Sequence, residues 1–176
     1  VIALIYTLQE QQELSLSEPS FIPLRLLAQD EEEIHILSAH LQDGLFPLTS
    51  MHFEKADKTF SCLVNRFCWE HVDAHPNEDR YYRVHAGLVF SDVLAIHQRG
   101  FDQKHPQRIL NLLMMSMSEH KNGHKTIHLL FSGDKEVKVE VASIQCRFGD
   151  VDHPWLTNKK PTHLHEHLEE LEKKTA

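Results

Sequence analysis

Apolar positions along the chain follow two different periods. Ile34, Leu37, Leu41 and Leu45 recur at helical spacing and form one face of an α-helix. Asp30 stands before that run as an N-cap. Glu33 completes a capping box, and Glu31 and Glu32 suit the positive end of the helix dipole. Gly44 is a natural stop, and residues 22–28 ahead of the helix read as extended. After Pro47 the period shortens to two. Met51 and Phe53 lead to a turn at Ala56-Asp57-Lys58, and Phe60, Cys62 and Val64 share one face of a returning strand. Asn65, Phe67 and Trp69 fall on the opposite face. A polar loop, His71–Asp79, comes next. Tyr82, Val84, Ala86 and Leu88 alternate, break at Ser91-Asp92, and resume with Val93, Ala95 and His97. A second loop covers residues 100–106, and residues 111–118 carry apolar or small side chains on both faces, as in a strand covered on both sides.

Two hairpin signals follow. Asn122-Gly123 joins that strand to Thr126–Ser132; a two-residue loop would set His120 against Lys125 and leave His120, His124 and His128 at a solvent-facing tip. Gly133-Asp134 turns the chain into Glu136–Val141, where Lys138 and Glu140 face solvent between inward valines. Over Ala142–Asp150, the four-residue spacing of Ile144 and Phe148 favours a short helix over a continuing strand. The expected fold is α+β: an antiparallel sheet or roll of about seven strands with one N-terminal amphipathic helix. A short C-terminal helix would complete the element order of a pleckstrin-homology-like roll. Residues 1–20 read as an N-terminal extension, 21–157 as a single globular domain, and 158–176 as a charged C-terminal tail.

Composition narrows the classes. The net charge of -8 lies almost wholly in residues 1–43, which sum to -7, so no basic field for nucleic acid is visible. Cys62, Cys68 and Cys146 are odd in number and lack metal-ligand spacing; they read as small apolar fillers in a reducing, cytoplasmic compartment. No apolar stretch approaches the roughly 20 residues of a membrane helix.

Four stretches resemble a known family: LRLLAQDEEEIHILSAHLQDGL (24–45), LVNRFCWE (63–70), GLVFSDVLAIHQRGFD (87–102) and GDKEVKVEVASIQCRFGDVDHPW (133–155). Ser-Ala-His-Leu-Gln-Asp followed by Asn-Arg-Phe-x-Trp-Glu is specific. Together they resemble the alphaproteobacterial domain of unknown function 2948 over roughly residues 22–162. The resemblance implies a bacterial intracellular protein and carries over no activity, cofactor or catalytic residue.

The 15 histidines raise metal binding. His163 and His167 could lie one helical turn apart, but no His-Glu-x-x-His motif is present, and no cofactor is expected. His40 and Asp43 are close enough on the helix to interact. Joined with Asn65, Arg66 and Trp69 they form a candidate binding patch, since an Arg and an aromatic beside a groove are typical anchors. Trp69 reads more readily as a core residue beneath the helix. Three functions stay open. The leading one is a non-catalytic binding or adaptor domain acting on a protein partner or by self-association. The second is a metal-dependent enzyme using His40, Asp43 and loop histidines. The third is a nucleic-acid-associated protein working through Arg80, Arg83, Arg99, Lys104 and Arg108, which charge makes the weakest.

Overall fold

A computed structural model of the protein describes residues 21–101, 107–120 and 123–161. The expected extension, the tail histidines His163, His165 and His167, and Lys104 lie outside the described residues. Eleven strands form one antiparallel sheet. They are β1 (Arg25–Ala28), β2 (Leu45–Pro47), β3 (His52–Glu54), β4 (Thr59–Phe67), β5 (Tyr81–Phe90), β6 (Val93–Arg99), β7 (Ile109–Glu119), β8 (Lys125–Phe131), β9 (Lys135–Val141), β10 (Cys146–Asp150) and β11 (Trp155–Thr157). Among the described residues only two short helices accompany them, α1 (Glu31–Leu41) and α2 (Trp69–Ala74), with a single 3-10 turn at Leu48–Ser50. The fold is therefore largely β, which corrects the α+β expectation of about seven strands.

Strand order along the sheet is β1-β10-β5-β4-β2-β7-β8-β9-β6, with β11 also pairing β5 and β3 pairing β4. β6 ends this path, yet it follows β5 in the chain after only Ser91 and Asp92. Asp92, at φ 56°, makes that sharp bend. An end strand tied so closely to a middle strand requires the sheet to roll over on itself. Its inner face encloses one core, in which Phe60, Val64, Leu88 and Phe90 of one half meet Leu129, Phe131, Val137 and Val139 of the other.

α1 begins as its capping box dictates. Glu33 N donates to Asp30 Oδ1 at 2.8 Å, and Gln29 N donates to the Glu33 carboxylate at 2.6 Å. Ile34, Leu37 and Leu41 are buried, and the helix packs mainly on β7. It ends where Gly44 must: a Cβ there would stand 2.7 Å from Leu41 O and 2.9 Å from Val64. Ser38 meets a second need. β7 bulges between Leu112 and Met114, and Ser38 Oγ accepts from Met115 N at 2.8 Å. Because of that bulge Leu113 and Met114 are half-exposed, so β7 is not covered on both faces throughout.

The helix expected over Ala142–Asp150 is instead strand β10, paired between β1 and β5. Cys146, Phe148 and Asp150 alternate inward. The third inward residue is a carboxylate, so the period of two was masked. Among the described residues no helix closes the sheet as the pleckstrin-homology-like order requires, and the loop expected after Trp69 contains part of α2. No helix among the described residues is long and apolar enough to cross a membrane.

Candidate functional site

The hairpin between β7 and β8 sets the register of the site. Its loop is wider than two residues: Glu119 pairs Lys125, His120 N donates to His124 O at 2.8 Å, and Gly123 N turns back to His120 O at 2.9 Å with φ 82°. His120 therefore backs onto His124 rather than Lys125, correcting the two-residue reading. This register aligns Ser116, His128, Lys138 and His97 in one row across four strands. Ser118, Thr126 and Glu140 form the neighbouring row. These side chains share the outer face, because Ile127, Leu129, Val137 and Val139 between them point into the core. All but Ser116, together with Gln98, Arg99 and His120, line a trough of about 450 Å3.

A fixed chain of hydrogen bonds runs along its floor. The Glu136 side chain is only 7% exposed, although the strand aims it outward. Its Oε1 lies 2.7 Å from His128 Nδ1, and its Oε2 accepts from Arg99 Nε at 3.2 Å, with Lys138 Nζ at 3.8 Å. The His128 hydrogen bond holds the Glu136 carboxyl below its usual range; burial opposes this, and Arg99 and Lys138 reinforce it. An ionised carboxylate can only accept, so in the neutral ring the His128 hydrogen sits on Nδ1 and a lone pair is left at Nε2. Ser118 Oγ lies 2.8 Å from that Nε2 and donates to it. Beside this relay, His120 Nε2 lies 2.7 Å from Oγ1 of the buried Thr126, and His97 Nε2 lies 3.1 Å from Glu140 Oε1. Both Glu136 oxygens are occupied. Arg99 Nη1 and Nη2 and the remaining Lys138 hydrogens have no partner among the described residues. Beside Glu136 the spare capacity is thus for donating hydrogen bonds, while Glu140, held to His97 through Oε1, also lines the trough as an acceptor. No group of three metal-ligating side chains converges among the described residues.

The structure divides the five residues singled out in the sequence. Arg66 faces the same way as Phe60, Cys62 and Val64, and it is fully buried. It reaches across β5 to Asp150, with Nε to Oδ1 at 2.7 Å and Nη2 to Oδ2 at 2.8 Å. It also grips Glu70 of α2 through Nη1 at 3.0 Å and Nη2 at 2.8 Å. Burial works against the charge, yet the bonds to Asp150 and then Glu70 outweigh it and hold the guanidinium protonated. An outside partner has no access to it. Asp43, Asn65 and Trp69 do come together on the other face, around an arginine the patch omitted. Arg83 Nη1 donates to Asn65 O at 3.1 Å and Asp43 O at 3.4 Å. Trp69 Nε1 donates to Gln42 O at 3.0 Å while its ring lies tilted against Phe67, with centroids 4.6 Å apart. His40 is half-exposed on α1, and neither it nor Asp43 lines the trough. The basic residues of the nucleic-acid reading are dispersed: Arg83 is bound to backbone carbonyls and Arg99 to Glu136.

A second, shallower cavity of about 670 Å3 opens on β1, β10 and β5, where Gly87 faces Gly149 between Arg25 and Arg147. Its lining is mainly apolar, with Leu27, Val89 and Val151 around the glycines, and carries no comparable chain of side-chain hydrogen bonds. Cys62, Cys68 and Cys146 are free and buried, and desolvation pushes the first two thiols up to about 12. They are inert core residues.

No curated protein and no solved structure matches this chain. The family described as "Protein of unknown function (DUF2948)" matches residues 24–163, which contain the whole rolled sheet and the trough. The chain belongs to that family.

Proposed function

We propose that the chain is a ligand-binding domain of a bacterial cytoplasmic protein, and that its trough takes a small molecule through a carboxylate group. One observation carries this reading. Glu136 is a buried, ionised carboxylate on an outward face, with both oxygens used internally, while Arg99 and Lys138 beside it keep donors to spare. Burying a charge is costly unless it is paired, so the sequence maintains this arrangement against a simpler polar surface. A ligand carboxylate completes the donor set as a second, exchangeable anion. The trough's size falls within the roughly 300–1,000 Å3 of small-molecule sites. Three free, buried thiols suit a reducing compartment.

The test is an amide chemical-shift titration of the full chain with sodium acetate, against sodium chloride at equal ionic strength. Acetate should move the signals of Gln98, Arg99, His128 and Lys138 saturably, and chloride should not. Shifts that track ionic strength alone, or that gather at Arg25 and Arg147 instead, would overturn the assignment.

A further inference from the structure

We propose that Ser118 is a nucleophile that can be acylated, with His128 as its general base and Glu136 as the residue that orients the histidine. The inference deepens the ligand-site reading of the trough, on which it rests, and names the ligand class as an ester or other activated acyl compound.

The connectivity is the one nucleophilic catalysis requires. A serine hydroxyl reacts when an adjacent base accepts its proton, and the base works when a third group fixes its tautomer. Here Ser118 Oγ is 2.8 Å from His128 Nε2, and the opposite ring nitrogen is 2.7 Å from Glu136 Oε1. The three side chains come from three adjacent strands, β7, β8 and β9, so the ladder registers hold them rather than loops. Glu136 is buried and pinned from its other side by Arg99. Ser118 is exposed at the trough, so an acyl carbon can reach its oxygen.

The step balances without any further reactant than water. Ser118 Oγ bonds to the acyl carbon as its proton passes to His128 Nε2. The carbon–oxygen bond to the leaving alcohol then breaks, and that alcohol takes the proton from Nε2. Water repeats the sequence, releasing a carboxylic acid and restoring Ser118. The released carboxylate is the group the donors Arg99 and Lys138 would hold. Every residue lining the trough lies on a strand or at its immediate end, so among the described residues no turn or helix N-terminus aims backbone amides at the oxyanion. One missing oxyanion donor costs about 10²–10³ in rate, so turnover is slow. A single stoichiometric adduct is therefore the proper readout.

The full chain is treated with an alkyl fluorophosphonate, which reacts with activated serines by losing fluoride, and adducts are mapped by peptide mass spectrometry. One adduct on Ser118 is expected. Ser118→Ala should abolish it, and His128→Asn should slow it by about 10²–10⁴-fold, both with melting curves close to the parent's. No adduct on the parent chain, an adduct only elsewhere, or an unchanged rate in His128→Asn overturns the proposal. The acetate titration run in parallel separates the two readings. Acetate shifts without a Ser118 adduct overturn acylation alone. An adduct without acetate shifts upholds the nucleophile and overturns the carboxylate site.

Discussion

Each half of the rolled sheet contains a carboxylate gripped by an arginine, and the two arrangements differ in which way the strand points them. Arg66 and Asp150 face inward, both side chains fully buried. Their remaining valences are spent inside the protein: Asp150 Oδ2 also accepts from Leu24 N at 2.8 Å, and Arg66 holds Glu70. This network ties β1, β4, β10 and α2 together and has nothing left for a ligand. Glu136 and Arg99 face outward, with the Glu136 side chain 7% and the Arg99 side chain 66% exposed. There the anion is satisfied and the cations are not. Burial alone does not distinguish a structural ion pair from a site; the count of unused donors and acceptors does.

Breaking the inner network should have the largest effect. Arg66→Leu leaves Asp150 buried without its cation, so a loss of about 3–5 kcal/mol is expected from urea unfolding. The N-terminal strand should loosen with it, read as faster amide exchange at Leu24 and Leu26. A loss no larger than that of a trough variant would contradict the inner, structural assignment. Glu136→Gln ranks second, at about 1–3 kcal/mol, because the amide keeps the shape and loses the charge-assisted bonds. Its pH signature is specific. The folded-state pKa of Glu136 lies below the ordinary carboxylate value, so its contribution is complete above about pH 4.3 and is lost as pH falls through the lower folded value. Plots of unfolding free energy against pH should therefore fall less steeply below about pH 4 in Glu136→Gln than in the parent. Parallel acid limbs would show that Glu136 is not the ionised partner of His128.

The two networks were also unequally legible in the sequence. Local signals were reliable: Asp30 and Glu33 capped α1 as expected, and Gly133 and Asp134, at φ 71° and 55°, make the turn their dipeptide announced. The outward aim of Lys138 and Glu140 also followed from alternation. What failed depended on distant pairing. Arg66 and Asp150 are 84 residues apart. An arginine at an inward position reads as a defect in the alternation until its partner is known, and Asp150 hid β10 for the same reason. The trough was missed through a register error at the hairpin. Only the observed pairing of Glu119 with Lys125 brings Ser118 onto the face of His128, which β8 in turn sets beside Glu136 of β9. Asp43 and Asn65 meet through Arg83, which the sequence reading places on another surface.

Lys138 offers the smallest expected effect on stability and the sharpest on binding. Its ammonium is 42% exposed and 3.8 Å from Glu136, so solvent screens most of their attraction. Lys138→Met keeps the aliphatic stem across the row and should change unfolding free energy by no more than about 0.5 kcal/mol. The Glu136 carboxylate stays paired with Arg99 and His128, so nothing buried is left bare. The acetate response should nevertheless weaken severalfold, since half of the trough's spare cationic donors have gone. Arg66→Lys is the proper contrast: it conserves charge, loses the bidentate geometry, and should destabilise the fold without altering acetate binding in the chains that remain folded. If Lys138→Met lowers stability as much as Arg66→Lys, the trough is a structural network like the inner one. If it leaves both stability and acetate shifts unchanged, Arg99 alone supplies the site.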